Sequence, residues 1–160
     1  MTDIALHPNA QNIADILTVK GLAGSRVRML PERAASAAEA ARLVGCEVGA
    51  IANSLVFDAD GEAVLVLASG AHRVDAAKAA KALEVAALRR ATPDFVREAT
   101  GQVIGGVSPV GHPAPLRTLI DEDLTQFERI WAAAGHPNAV FSTTYAELLD
   151  ITGATPAVVA

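Results

Sequence analysis
The chain has 160 residues, is 51% hydrophobic but only 4% aromatic, and carries a formal net charge of −5. That length suits one domain over residues 1–160, with a full core built mostly from Ala, Val, Leu and Ile. The acidic balance argues against a protein that grips duplex DNA, and no apolar run reaches the roughly eighteen residues that a membrane span needs.

The first segment, Met1 to Pro8, lacks a basic stretch followed by an apolar one and does not read as a secretory signal. His7-Pro8-Asn9 opens a helical pattern to about Lys20, with Ile13, Ile16 and Leu17 on one face and Gly21 as a stop. Residues 25–30 alternate polar and apolar and predict a strand. Ser36 and Glu39 have the spacing of a capping box, opening an Ala-rich helix to about Val44 that Gly45 ends. Cys46 is the single cysteine, which excludes an internal disulfide and fits a reducing cytoplasm. Its expected role is that of a small buried hydrophobe.

Residues 50–57 and 63–68 are apolar and β-rich, and the Asp60-Gly61 pair between them signals a tight hairpin. Residues 74–83 predict a helix and residues 85–89 a short strand. Thr92-Pro93 is a good cap and first-turn pair for a further helix, with Gly101 beyond its end. Residues 102–104 are expected as a strand leading into a loop rich in glycine. Residues 116–120 predict another strand. Asp121-Glu122-Asp123 suits the start of a helical turn, where carboxylates meet the positive end of the dipole. Residues 127–134 are ambiguous, because their alanines favour helix. Residues 139–142 predict a strand, Thr144 and Glu147 a second capping box, and residues 157–159 an edge strand. The pattern as a whole is a mixed α/β domain, α+β-like, with hairpins rather than strict βαβ alternation.

Few residues announce chemistry. His7, His72, His112 and His136 show no metal-ligand spacing with Cys or with one another, so no metal and no cofactor is expected. No nucleophile elbow and no phosphate-binding loop is present. Between Arg73 and Arg97 lie six of the thirteen Lys and Arg residues against three acids. That segment reads either as a solvated face or as a phosphate contact through Arg73, Lys78 and Lys81. The densest signal is Gly105-Gly106-Val107-Ser108-Pro109-Val110-Gly111-His112. Glycines let a ligand approach the main chain, and proline fixes its geometry. Such a loop either turns between packed elements or presents amides to an anion or oxyanion.

This stretch, with GCEVGAIANSLVF over residues 45–57, VLVLASG over 64–70 and WAAAGHPNAVF over 131–141, resembles the YbaK/EbsC (ProX-like) family of aminoacyl-tRNA deacylases. The same domain occurs inside bacterial prolyl-tRNA synthetases. The resemblance implies a curved mixed or mostly antiparallel sheet flanked by helices, and favours a central strand at 127–134. It implies hydrolysis of the ester joining a wrong small amino acid to tRNA, commonly tRNA for proline. A ribose hydroxyl of the substrate would assist, and no protein nucleophile would be needed. The family's G-x-x-x-P loop falls on Gly105 to Pro109. The catalytic set it implies here is Asn53, Gly105, Gly106 and Ser108. The substrate-binding set is Ser54, Val107, Pro109, His112, His136 and Asn138. The expected partners are the aminoacyl-tRNA acceptor end, prolyl-tRNA synthetase and a second copy of the chain. One departure stands out: the family's lysine before the strand is Asn53 here, an uncharged side chain that can orient water or ribose but cannot neutralise charge. The competing expectation is therefore a non-catalytic module that binds aminoacyl-tRNA, an amino acid or a synthetase.

Overall fold
The computed structural model describes residues 5–160, so the reading of Met1 to Ile4 lies outside it. Helix α1 spans Pro8–Val19, β1 Val27–Met29, α2 Ala37–Val44, β2 Ile51–Ala59 and β3 Glu62–Ser69. Helix α3 spans Ala76–Leu83, β4 Arg89–Arg90, α4 Pro93–Thr100 and β5 Arg117–Asp121. Then come β6 Ile130–Ala133, β7 Ala139–Thr143, α5 Tyr145–Thr152 and β8 Thr155–Ala157. The strands form one mixed sheet in the order β1-β7-β6-β2-β3-β5-β8, with β4 also on β2. No helix among the described residues is long and apolar enough to cross a membrane.

The β2–β3 hairpin anchors the sheet. Ala59 pairs with Glu62 across Asp60 (φ 56°) and Gly61 (φ 94°), the positive angles of a type I′ turn. The Asp58 carboxylate accepts from the Gly61 N–H at 2.6 Å. Strand β3 is buried on both faces. Its Leu65 and Leu67 side chains join Ile13, Leu17, Phe141 and Leu148 in one core under α1 and α5. Val64, Val66 and Ala68 join Ala79, Leu83 and Leu119 in a second core under α3. Helix α2 covers a third patch around Ile51 and Trp131.

Helix ends follow the sequence closely. The Thr144 hydroxyl accepts from the Glu147 N–H, and the Glu147 carboxylate accepts from the Thr144 N–H, completing a capping box. Arg26 clamps the same carboxylate through two bonds of 2.7 and 3.0 Å and holds its pKa below the ordinary range. At α2 the reciprocity expected of Ser36 and Glu39 is incomplete. Ser36 caps the Glu39 N–H, but the Glu39 carboxylate turns to Arg42 at 3.3 Å instead.

Other departures have local causes. The strand expected over residues 25–30 starts later, because Gly24–Arg26 forms a 3₁₀ turn. Of residues 85–89 only Arg89 enters a strand, with Arg90. Residues 102–104 are a turn rather than a strand, because the Gln102 side chain folds inward and bonds the loop ahead of it. Residues 127–134 contain a strand, with Ala132 packed in the core beside Ala10 and Ala14. Burial between β2 and β7 overrides the helix propensity of alanine there. Cys46 is only half-buried; burial first and Glu47 second push its thiol pKa up, which lowers its thiolate fraction.

Candidate functional site
A cleft with a cavity of about 420 Å³ opens beside β2. Its walls come from Ala37 and Ala40 of α2, Ile51 to Phe57 of β2, Trp131 of β6, and Ile104, Gly105 and Val107 of the glycine loop. They are largely apolar, and Arg90 is the one ionisable residue among the described lining residues. Asn53 and the glycine loop thus border the same space.

The loop is held from within. Gln102 is buried and works as a template: its carbonyl oxygen accepts from the Ser108 N–H at 2.6 Å, and its amide donates to the Val110 carbonyl at 3.1 Å. Thr100 accepts from the Gln102 N–H and donates to the Val96 carbonyl, tying the template to α4. Ser108 is fully buried, and its hydroxyl accepts from the Val110 N–H at 3.3 Å. The His112 ring bonds the Ser108 carbonyl through Nε2 at 2.9 Å, which fixes that nitrogen as the protonated one. Burial pushes the His112 pKa down, and the bond to Ser108 only partly opposes this.

The loop then leans on the turn before β7. A β-carbon on Gly106 would meet main-chain atoms of His136 and Pro137, so only glycine permits this approach. The His136 Nδ1 accepts from the Asn138 N–H at 3.0 Å, the Asn138 carbonyl accepts from the Leu30 N–H, and the His136 ring lies 4.3 Å from that of His7. His136 has a lowered pKa, from burial first and the nearby His7 second.

The residues singled out from the sequence therefore divide. Asn53, Ser54, Gly105 and Val107 line the cavity. Gly106, Ser108, Pro109, His112, His136 and Asn138 are not among its lining residues; Pro109 is buried, and the other five shape the loop and its support. Arg73, Lys78 and Lys81 are exposed and do not line the cavity, and Lys78 donates to the carbonyl of Ala160. Three cations that the sequence reading gave no role at the site lie closer. Arg90 lines the cavity, Arg33 brings its guanidinium beside Gly105, and Arg28 stacks 4.7 Å from the ring of Trp131. Arg90 belonged to the basic segment already noted; nothing local marked Arg33 or Arg28.

Away from the cleft, His72 bridges Asp121 at 2.7 Å and Asp123 at 2.9 Å, and Asp121 also accepts from the Ser69 N–H. These three side chains are the group among the described residues compact enough to hold a cation. Both ring nitrogens already face carboxylates, and the cluster fastens the end of β3 to β5.

Comparison with known proteins bears on the family and the fold. Residues 31–151 match the family model of the aminoacyl-tRNA editing domain. A Bacillus subtilis (strain 168) protein, YwhH, is 32% identical over 117 residues, covering 72% of this chain and 74% of its own length. A proline–tRNA ligase from Lysinibacillus sphaericus is 38% identical over 71 residues, which are 44% of this chain and only 12% of the ligase. A crystal structure described as that of a candidate trans-editing enzyme for prolyl-tRNA synthetase superposes with a TM-score of 0.91 at 46% identity, over 97% of this chain and 98% of that one.

Proposed function
Because the chain belongs to the aminoacyl-tRNA editing domain family, we propose that it is a single-domain trans-editing hydrolase that removes a small wrong amino acid from tRNA, most simply tRNA for proline. The observation that carries this reading is the shared cavity: Asn53 on one wall, the glycine loop on another, and apolar side chains between them. The aminoacyl group enters the cavity. Water adds to the ester carbonyl, the carbon–oxygen bond to ribose breaks, and the leaving ribose oxygen takes a proton.

Arg90 is the one ionisable side chain among the described lining residues and no general base stands beside the Ser36 and Ser54 hydroxyls there, so the proton route runs through water and the neighbouring ribose hydroxyl. Asn53 orients one of these by hydrogen bonding. Main-chain amides at the cleft stabilise the developing oxyanion, the part an ammonium would otherwise share. Alanine, valine and isoleucine walls select by size, which is worth about 1–3 kcal/mol per methylene. Arg33 and Arg90 at the cleft, and Arg73, Lys78 and Lys81 beyond it, meet phosphates of the acceptor end.

A second reading has one observation in its favour. Asn53 replaces the lysine, and Arg90 is the only charge on the described walls, so the cavity suits binding without hydrolysis as well. The pure protein incubated with tRNA for proline charged with Ala, Ser, Thr or Cys separates them. Release of one amino acid above the spontaneous rate supports the hydrolase, and tight binding with no release from any of the four supports the binding module.

A further inference from the structure
Strand β2 is paired unevenly. Along one edge it meets β3 over residues 52–59, and along the other it meets β6 at Ile51 and Ala52 and β4 at Phe57 and Asp58. The hairpin sets the phase of its main-chain groups. Ala59 pairs with Glu62 across a two-residue turn, so Ala59, Phe57, Leu55 and Asn53 aim their N–H and C=O at β3. The bond from the Gly70 N–H to the Ile51 carbonyl continues that series. Ala52, Ser54, Val56 and Asp58 therefore aim theirs at the opposite edge. There β6 meets Ala52, and the register with β4 takes Asp58 and the Val56 carbonyl.

A notch is left between the two short strands. The Ser54 N–H, the Ser54 carbonyl and the Val56 N–H have no partner among the described residues. The Ser54 hydroxyl oxygen is buried and unpartnered as well. Polar groups in that state are rare, and an occupant that satisfies them gains affinity. Both residues line the cavity.

We infer that this notch is where the main chain of the aminoacyl group docks, as a one-residue extension of the sheet. The inference rests on the proposed function and names the contacts of that same site. The Ser54 carbonyl accepts from the α-ammonium, and the Val56 N–H donates to the ester carbonyl oxygen. That is the pattern of a parallel ladder, the sense in which β6 already meets β2 at Ala52. The two groups flank Leu55 on one edge of the strand, closer together than its two-residue repeat of about 7 Å, so the amine and carbonyl of one extended amino acid ester reach both. A peptide strand would need a longer open edge than β4 and β6 leave. Contacts of this kind ignore the amino-acid side chain, so discrimination falls to the apolar walls alone.

Amide hydrogen exchange on the full ¹⁵N-labelled chain tests this, using 3′-alanylamino-3′-deoxyadenosine, an amide-linked mimic of the charged terminal nucleoside. In the free protein, Ser54 and Val56 should exchange at least about tenfold faster than Asn53 and Leu55. Saturating mimic should slow Val56 by about tenfold or more, and N-acetylation of the mimic should weaken binding by a similar factor. If the mimic shifts Gly105 and Val107 while Val56 exchange stays the same, the notch is not the dock and the editing reading survives. If no resonance shifts at millimolar mimic, both are overturned.

Discussion
The main-chain carbonyl carbon of His136 lies 2.8 Å from where a β-carbon on Gly106 would sit, and the His136 Cα lies 2.9 Å away. The glycine loop and the His136 turn are thus pressed backbone to backbone. This contact works with the Gln102 side chain, which holds the loop from within, to set how the loop meets the cleft. Gly106→Ala should push the two apart at a cost of about 1–3 kcal/mol. It should also lower aminoacyl-end binding, because Gly105 and Val107 move with the loop. Chemical denaturation and binding of the nucleoside mimic check the two effects separately; an unchanged midpoint would mean the loop has room to yield.

Asn53 stands at the point where the two functional readings diverge. Asn53→Lys places an ammonium on the cavity wall, where it can share the oxyanion charge. Loss of release activity would show that asparagine has its own positioning role in an active hydrolase. Newly gained release would show that the natural protein binds without cleaving. The quantity to compare is the first-order release rate at saturating protein.

Phosphate contacts should rank by distance from the cleft. Arg90 lines the cavity and Arg33 reaches Gly105, so Arg33→Ala and Arg90→Ala should each weaken tRNA binding more than changes at Arg73, Lys78 or Lys81. Each true phosphate contact removed should lower the slope of log affinity against log salt by about one. Equal slopes for all five variants would place the RNA elsewhere.

Much of this was legible beforehand. The hairpin, the helix ends at Gly45 and Gly101 and the glycine-rich loop all rest on local chemistry that a sequence displays. The notch in β2 was not legible, since it depends on where β4 and β6 stop, and strand ends are decided by distant packing. Ser108 illustrates a second limit. A serine in a glycine loop invites a chemical role, yet its burial and its bond to the Gln102 side chain emerge only when residues 102–108 fold back on themselves. Arg33 lay in no motif and reaches the site because the chain before α2 passes the loop.

Acid should loosen the loop through His112. Its folded pKa is depressed by burial, so the unfolded chain binds the proton more readily. Stability from this residue is therefore complete above the unfolded value of about 6.5 and declines as pH falls below it. Denaturation midpoints between pH 7.5 and 5.5 should fall less steeply in His112→Gln than in the natural chain. Parallel curves would assign the acid sensitivity to other groups, such as His136.

The central claim is that the ester is cleaved inside the cavity beside β2. Ala35 and Ile104 line that cavity from exposed positions, so a tryptophan at either can close it without disturbing the core. The decisive measurement is the single-turnover release rate of the preferred amino acid from mischarged tRNA by the natural chain, Ala35→Trp and Ile104→Trp. A fall of about tenfold or more in both variants, with melting temperatures unchanged, is the predicted result. Equal release by all three proteins would contradict the account.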